Sequence, residues 1–171
     1  IRSLNENSIR PHIISTSIEH SSVSEVLVSD EVQSGADVTC ISPNEKGGIT
    51  EEELRKALTP RTRLVSIGWA NGEIGTIQKI RTLSQVIREY EKQHSIRICF
   101  HTDAGQAPWA LSPQPHGIGV DMMTLSPSKH YGPRGIALLY VHHSIQLSTL
   151  LYGGKQEFGL RPGTEDTALA A

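Results

Sequence analysis

Short apolar runs alternate with amphipathic stretches along most of the chain. His12–Thr16 (His-Ile-Ile-Ser-Thr) is strand-like, and Ala36–Ile41 alternates with period two, as a half-buried strand does. Arg63–Gly68, Ile96–Phe100, Met122–Leu125 and Ile136–Val141 read as further strands. Between them lie helical patterns: Glu19 to Val32, Glu51–Leu58 and Thr82–Gln93. In the last, Leu83, Val86, Ile87 and Tyr90 fall on one face. Thr50 with Glu53 three residues on forms a capping box, and Pro60 closes that helix. Asn44–Gly48 is a turn, and Asn71-Gly72-Glu73-Ile74-Gly75 is a glycine-rich bend.

This alternation with short links predicts an α/β domain, three layers (αβα) around a mostly parallel sheet. Ligands of such sheets bind beyond the carboxyl ends of the strands. The polar residues expected at that edge are His20, Asn71, Glu73, Asp103, Gln106, Ser126, Ser128 and Lys129.

Composition narrows the partners. With 171 residues, 37% hydrophobic and 20% charged, the chain suits one packed domain rather than a disordered or fibrous one. Sixteen basic residues against 18 acidic ones give a net charge of −2, which argues against nucleic acid and anionic membranes. The longest apolar run, Ile136–Val141, is too short to cross a bilayer. Two cysteines make no disulfide framework and point to a reducing compartment, the cytoplasm or alternatively the mitochondrion. The chain opens on Ile1 rather than Met and stops at Thr167-Ala-Leu-Ala-Ala171, which reads as a helix start; both ends read as cut from something longer.

Several groups carry chemistry. Asp103, at the end of a buried strand, is costly unless paired; it would serve a cationic ring nitrogen or a metal, or else cap the next segment. Lys129, in a Ser/Pro/Gly-rich loop, is either a Schiff-base nucleophile or a solvated surface lysine. Ser126 and Lys129 also spell Ser-x-x-Lys, but Pro127 and Gly132-Pro133 argue against the helix that serine chemistry requires. His20, where a strand hands over to a helix, would stack on a flat ring or move a proton, or simply start the helix. Arg161–Glu165 is a rigid turn able to offer a hydroxyl and N–H groups to a phosphate. The eight histidines match no zinc spacing, and Cys40 and Cys99, inside apolar strand runs, are expected to be buried. No dinucleotide or triphosphate loop motif is present.

Five blocks then stand together: Ile18-Glu-His-Ser-Ser-Val23, Ala70-Asn-Gly-Glu-Ile-Gly75, His101-Thr-Asp-Ala-Gly-Gln-Ala107, Ser126…Lys129-His-Tyr-Gly-Pro-Arg-Gly135 and Tyr152…Arg161-Pro-Gly-Thr-Glu165. In this order they resemble the cysteine desulfurases and selenocysteine lyases, pyridoxal-phosphate enzymes of the class V aminotransferase group. The resemblance implies the large cofactor-binding domain of a fold-type I enzyme, with residues 1–171 a partial core. It implies release of sulfur or selenium from L-cysteine or L-selenocysteine to leave alanine, in a homodimer, with an acceptor protein for the released atom. By resemblance Lys129 holds pyridoxal phosphate covalently and shuttles the substrate's α-proton. Asp103 holds the ring nitrogen, Gln106 the phenolic oxygen, and His20 stacks on the ring and assists the proton. Ser126 and Ser128 bind the phosphate, and Thr164 meets that of the partner subunit's cofactor. The alternatives are another class V enzyme, aminotransferase-like, or a non-catalytic truncated member.

The chain departs from the family's wording at two places. Ser126-Pro127-Ser128-Lys129 stands for Ser-Gly-His-Lys, and Asn71-Gly72-Glu73 for Asn-Asn-Glu. Both departures bear on cofactor affinity and rate. The resemblance also places the family's first phosphate loop before residue 1, and its catalytic cysteine and carboxylate-binding arginine after residue 171. This stretch alone is expected to be inactive.

Overall fold

A computed structural model describes residues 10–170. Six strands form one sheet in the order β2-β1-β3-β4-β5-β6: β1 (His12–Thr16), β2 (Asp37–Ile41), β3 (Thr62–Ser66), β4 (Cys99–Asp103), β5 (Met122–Leu125) and β6 (Leu138–Val141). The first five are mutually parallel, and β6 closes the edge antiparallel to β5.

Alternation along the strands separates two cores. On one face Ile14, Val65, Phe100 and Met123 pack with Leu54 of α3 (Glu51–Ala57) and with Leu83, Val86 and Ile87 of α4 (Ile80–His94). On the other, Ile13 packs with Leu27 of α1 (Ser21–Val28), Val32 of α2 (Asp30–Gly35) and Val38. The three-layer α/β expectation therefore holds. Both halves of the Thr50–Glu53 capping box are formed.

The chain leaves β1 for β2 on one side and returns to β3 on the other. The sheet's order thus reverses beside β1, the place where such folds open a crevice.

The structure shifts several boundaries. The stretch read as one helix from Glu19 breaks at Ser29, whose extended backbone (φ −63°, ψ 150°) starts α2. There Asp30 and Glu31 suit the positive end of the new helix. β4 begins at Cys99 rather than Ile96, because Glu91 captures the approach to it: Glu91 Oε1 accepts from Ile98 N at 2.6 Å and its carbonyl from Ile96 N. Asp103 is consequently the last residue of the strand. The cysteine expectation also needs correction. Cys40 is exposed and Cys99 only half-buried, because β2 is an edge strand and the helices α1 and α2 pack over Ile13 and Val38 rather than over Cys99.

Candidate active site

A cavity of about 750 Å³ opens at the carboxyl edge of β1, β3, β4 and β5. Its walls include His20, Asp103, Gln106, Ser126 and Lys129, together with Glu19, Asn71 and Thr124. Ser128 reaches it only through Ser126, the two hydroxyls lying 3.1 Å apart. Thr164 is exposed, and the whole Arg161–Glu165 turn lies outside the lining.

Asp103 is half-buried, and its Oδ1 accepts the Gly105 N–H at 2.8 Å. That bond spans two residues and does not cap the next turn, Ala107–Trp109, whose N-cap is Gln106; Asp103 Oδ2 takes no donor among the described residues. Lys129 ends a single 3-10 turn, Pro127–Lys129, not an α-helix. Its side chain is exposed and meets no carboxylate among the described residues.

His20 caps α1. Ser22 N–H donates to His20 Nδ1 at 3.2 Å, and the Ser22 hydroxyl lies 2.8 Å from the same atom. An Nδ1 that accepts carries no proton, so the neutral ring bears its hydrogen on Nε2.

Two groups without a role in the sequence reading emerge here. Glu19 Oε1 accepts the Thr16 hydroxyl at 2.6 Å and the Gly68 N–H at 2.9 Å, clasping the end of β1 to the loop after β3. Asn71 Nδ2 adds a second tie, to the Ile18 carbonyl at 3.0 Å. Burial raises the Glu19 carboxyl above its ordinary range, against the hydrogen bonds from Thr16 and Gly68, and the charge of Asp103 adds to the rise. The second group is His101, with Ser66 Oγ 2.9 Å from Nδ1 and Thr124 Oγ1 2.9 Å from Nε2. Burial holds this imidazole below its usual pKa, so it sits neutral beneath the cavity floor. A glutamate beside His20 and a histidine two residues before Asp103 were visible signals, since alternate strand residues share a face.

Among the described residues, no group of three or more His, Cys, Asp or Glu is placed to hold a metal ion, and no helix is long and apolar enough to cross a membrane. Neither cysteine lines the cavity.

The donor set suits pyridoxal phosphate. A carboxylate with one free oxygen matches a cationic ring nitrogen, and an unpaired primary amine matches an aldehyde. The Gln106 amide matches a phenolic oxygen, and the Ser126–Ser128 hydroxyl pair matches a phosphate.

Comparison with known proteins adds four findings. A family model described as aminotransferase class-V matches residues 2–166. The chain is 37% identical over 157 residues to a cysteine desulfurase IscS of Clostridium botulinum (strain Kyoto / Type A2), covering 92% of this chain and 38% of that protein. It is 38% identical over 155 residues to a mitochondrial cysteine desulfurase of Eremothecium gossypii, covering 90% of this chain and 30% of the relative. Among solved structures, SspA in complex with cysteine superposes with a TM-score of 0.85 at 37% identity, over 98% of this chain and 46% of that one. The chain therefore spans less than half the length of each of these proteins.

Proposed function

Because the chain belongs to the class-V aminotransferase family, we propose that residues 1–171 form the pyridoxal-phosphate-binding core of a cysteine desulfurase, which passes the sulfur of cysteine to an acceptor thiol and leaves alanine. The observation that carries this reading is the convergence of Asp103, Gln106, His20, Ser126 and Lys129 on one cavity from three strand ends. The names of the relatives favour cysteine over selenocysteine.

Each residue has a task that its surroundings permit. Asp103 Oδ2 holds a proton on the cofactor's ring nitrogen, a charge-assisted bond worth roughly 1.5–3 kcal/mol. Pyridoxal phosphate, when bound, supplies an electron sink for the pair left as the substrate's α-proton departs. Lys129 Nζ holds the cofactor covalently and afterwards carries that proton. His20 offers Nε2–H from a ring oriented by Ser22, so it donates before it can accept. Gln106 holds the phenolic oxygen, and Ser126 with Ser128 holds the phosphate. Thr164, exposed and away from this cavity, is assigned to the cofactor phosphate of a partner subunit in a homodimer. Cys40 and Cys99 are not the acceptor thiol, since neither reaches the cavity. The reading places the protein in a reducing compartment, the cytoplasm or, like the Eremothecium relative, the mitochondrion.

The test is direct. Pyridoxal phosphate added to the chain should give a visible absorbance band, and borohydride should fix a pyridoxyl label on Lys129, absent in Lys129→Ala. A colourless protein, or a label on another lysine, defeats the assignment.

A further inference from the structure

We infer that Trp109 is a positioning residue for Lys129: its indole N–H holds the main-chain carbonyl of the lysine turn from the segment that carries Asp103 and Gln106. The inference rests on the proposed role of Lys129.

The lysine turn closes tightly upon itself. Lys129 N donates to Ser126 O at 3.0 Å, and the amides of His130 and Gly132 both donate to Pro127 O, at 2.8 and 3.0 Å. A side chain at Gly132 would stand 2.8 Å from Pro127 Cβ and from its carbonyl, so only glycine closes the loop. Tyr131 adopts a left-handed backbone, φ 61°, which an L-residue keeps only when its surroundings hold it there.

Very little in the turn anchors it outward. Pro127 has no N–H to offer. Both ring nitrogens of His130 are buried without a hydrogen-bond partner among the described residues. Among the described residues, Trp109 reaches the turn from outside: its Nε1–H donates to the Lys129 carbonyl. Its ring meets Tyr131 edge-on at 4.8 Å between centroids and lies 5.9 Å from His130.

The far end of this strut is fixed. Trp109 closes the 3-10 turn Ala107–Trp109 directly after Gln106, and Ala104 and Ala107 below it are fully buried. Ala104 N is bonded to Thr124 O and Ala107 N to Ala104 O. Asp103, Gln106 and Trp109 therefore move as one unit, and the indole N–H sets the distance of Lys129 from that unit. An indole 55% exposed buries too little surface to be explained by packing alone.

The experiment compares Trp109→Phe, which keeps a ring and loses the N–H, with Trp109→Leu, which loses both. In the full chain, hydrogen exchange of the His130 and Gly132 amides should rise about fivefold in Trp109→Phe, the loss of one hydrogen bond of ordinary strength. Amides of β4 and β5 should keep wild-type rates, showing that the fold is intact. With pyridoxal phosphate bound, borohydride labelling of Lys129 should slow, and the pH midpoint of the visible band should move. Wild-type exchange in Trp109→Phe overturns the inference, and so does a rise seen only in Trp109→Leu, because the ring would then be the anchor. If the wild-type chain takes no label on Lys129, the functional reading fails, while the exchange comparison still decides whether Trp109 holds the turn.

Discussion

The Gln106 side chain rests on the bare backbone of Gly72: a methyl group at residue 72 would stand 2.9 Å from Gln106 Nε2 and 3.0 Å from its Cδ. The family that the chain resembles carries an asparagine there, so one amide here occupies space that a second would contest. Gly72→Asn should push Gln106 off its place and cost about 1–3 kcal/mol in overpacking. Part of that cost should appear as weaker pyridoxal phosphate binding in a spectroscopic titration. Unchanged affinity would show that Gln106 does not touch the cofactor.

Glu19 offers a second test, with a sign that can be worked out. Its folded pKa is raised above the ordinary 4.5, chiefly by burial. Between the two values the folded chain keeps a proton that the unfolded chain has lost, so this group removes stability as pH rises from about 4.5. Glutamine mimics the protonated form and still accepts from Thr16 and Gly68. Glu19→Gln should therefore be at least as stable as wild type at neutral pH. Glu19→Ala, which strips the acceptor from a hydroxyl and an N–H, should lose about 1–3 kcal/mol. Urea unfolding of the two variants decides; equal losses would mean that the charge, not the clasp, matters.

His101 and His12 act in the opposite direction. Burial lowers the pKa of each below the ordinary 6.5. Below that value the unfolded chain takes up protons that the folded chain refuses, so the stability these residues give at neutral pH is lost as pH falls. Above 4.5 the Glu19 contribution falls as pH rises, while below 6.5 the histidine contribution falls as pH drops, so between these ordinary values the two oppose each other and flatten the profile. Glu19→Gln should steepen it and His101→Gln should flatten it. The measurement is the urea midpoint across that range, and parallel profiles for all three proteins would refute the assignment.

What could be read along the sequence was the arrangement that follows from periodicity. Six strand-like runs and the Thr50–Glu53 box place the sheet and the helix before β3. The strand ends then mark His20, Asp103, Gln106, Ser126 and Lys129. What remained hidden depends on contacts between distant segments. Glu91 delays β4 by reaching seven residues ahead to Ile98. Glu19 matters because Gly68, 49 residues on, comes to its carboxylate. Cys40 is exposed because, among the described residues, no strand lies beyond β2, which depends on strand order rather than on the residues around it.

Asp121, a buried carboxylate remote from the cavity, tests the fold alone. It accepts from Phe100 N at 2.7 Å, from Arg88 at 2.7 Å and from Arg97 at 2.5 Å. Removing it leaves a half-buried guanidinium and a buried N–H without their acceptor. Asp121→Ala should cost about 3 kcal/mol or more in urea unfolding. A loss under about 1 kcal/mol would mean that Glu91, which also meets both arginines, suffices to hold them.

The two cysteines give the last prediction, and it bears on the proposed sulfur transfer. A thiol that accepts sulfur must form a thiolate, which needs a lowered pKa and access to the substrate. Cys99 has neither: burial first, and then the charge of Asp121, push its thiol up to about 12. Cys40 is exposed, yet partial burial and the charge of Glu19 raise its thiol as well. In the folded chain a maleimide at neutral pH should therefore modify Cys40 slowly and leave Cys99 untouched until urea unfolds the sheet. Mass mapping of the modified peptides separates the two. The double variant Cys40→Ala, Cys99→Ala should also keep the visible pyridoxal phosphate band at wild-type intensity, since neither thiol lines the cavity. Rapid modification of Cys99 in the folded chain, or loss of the band in the double variant, would return these cysteines to the chemistry from which their positions remove them.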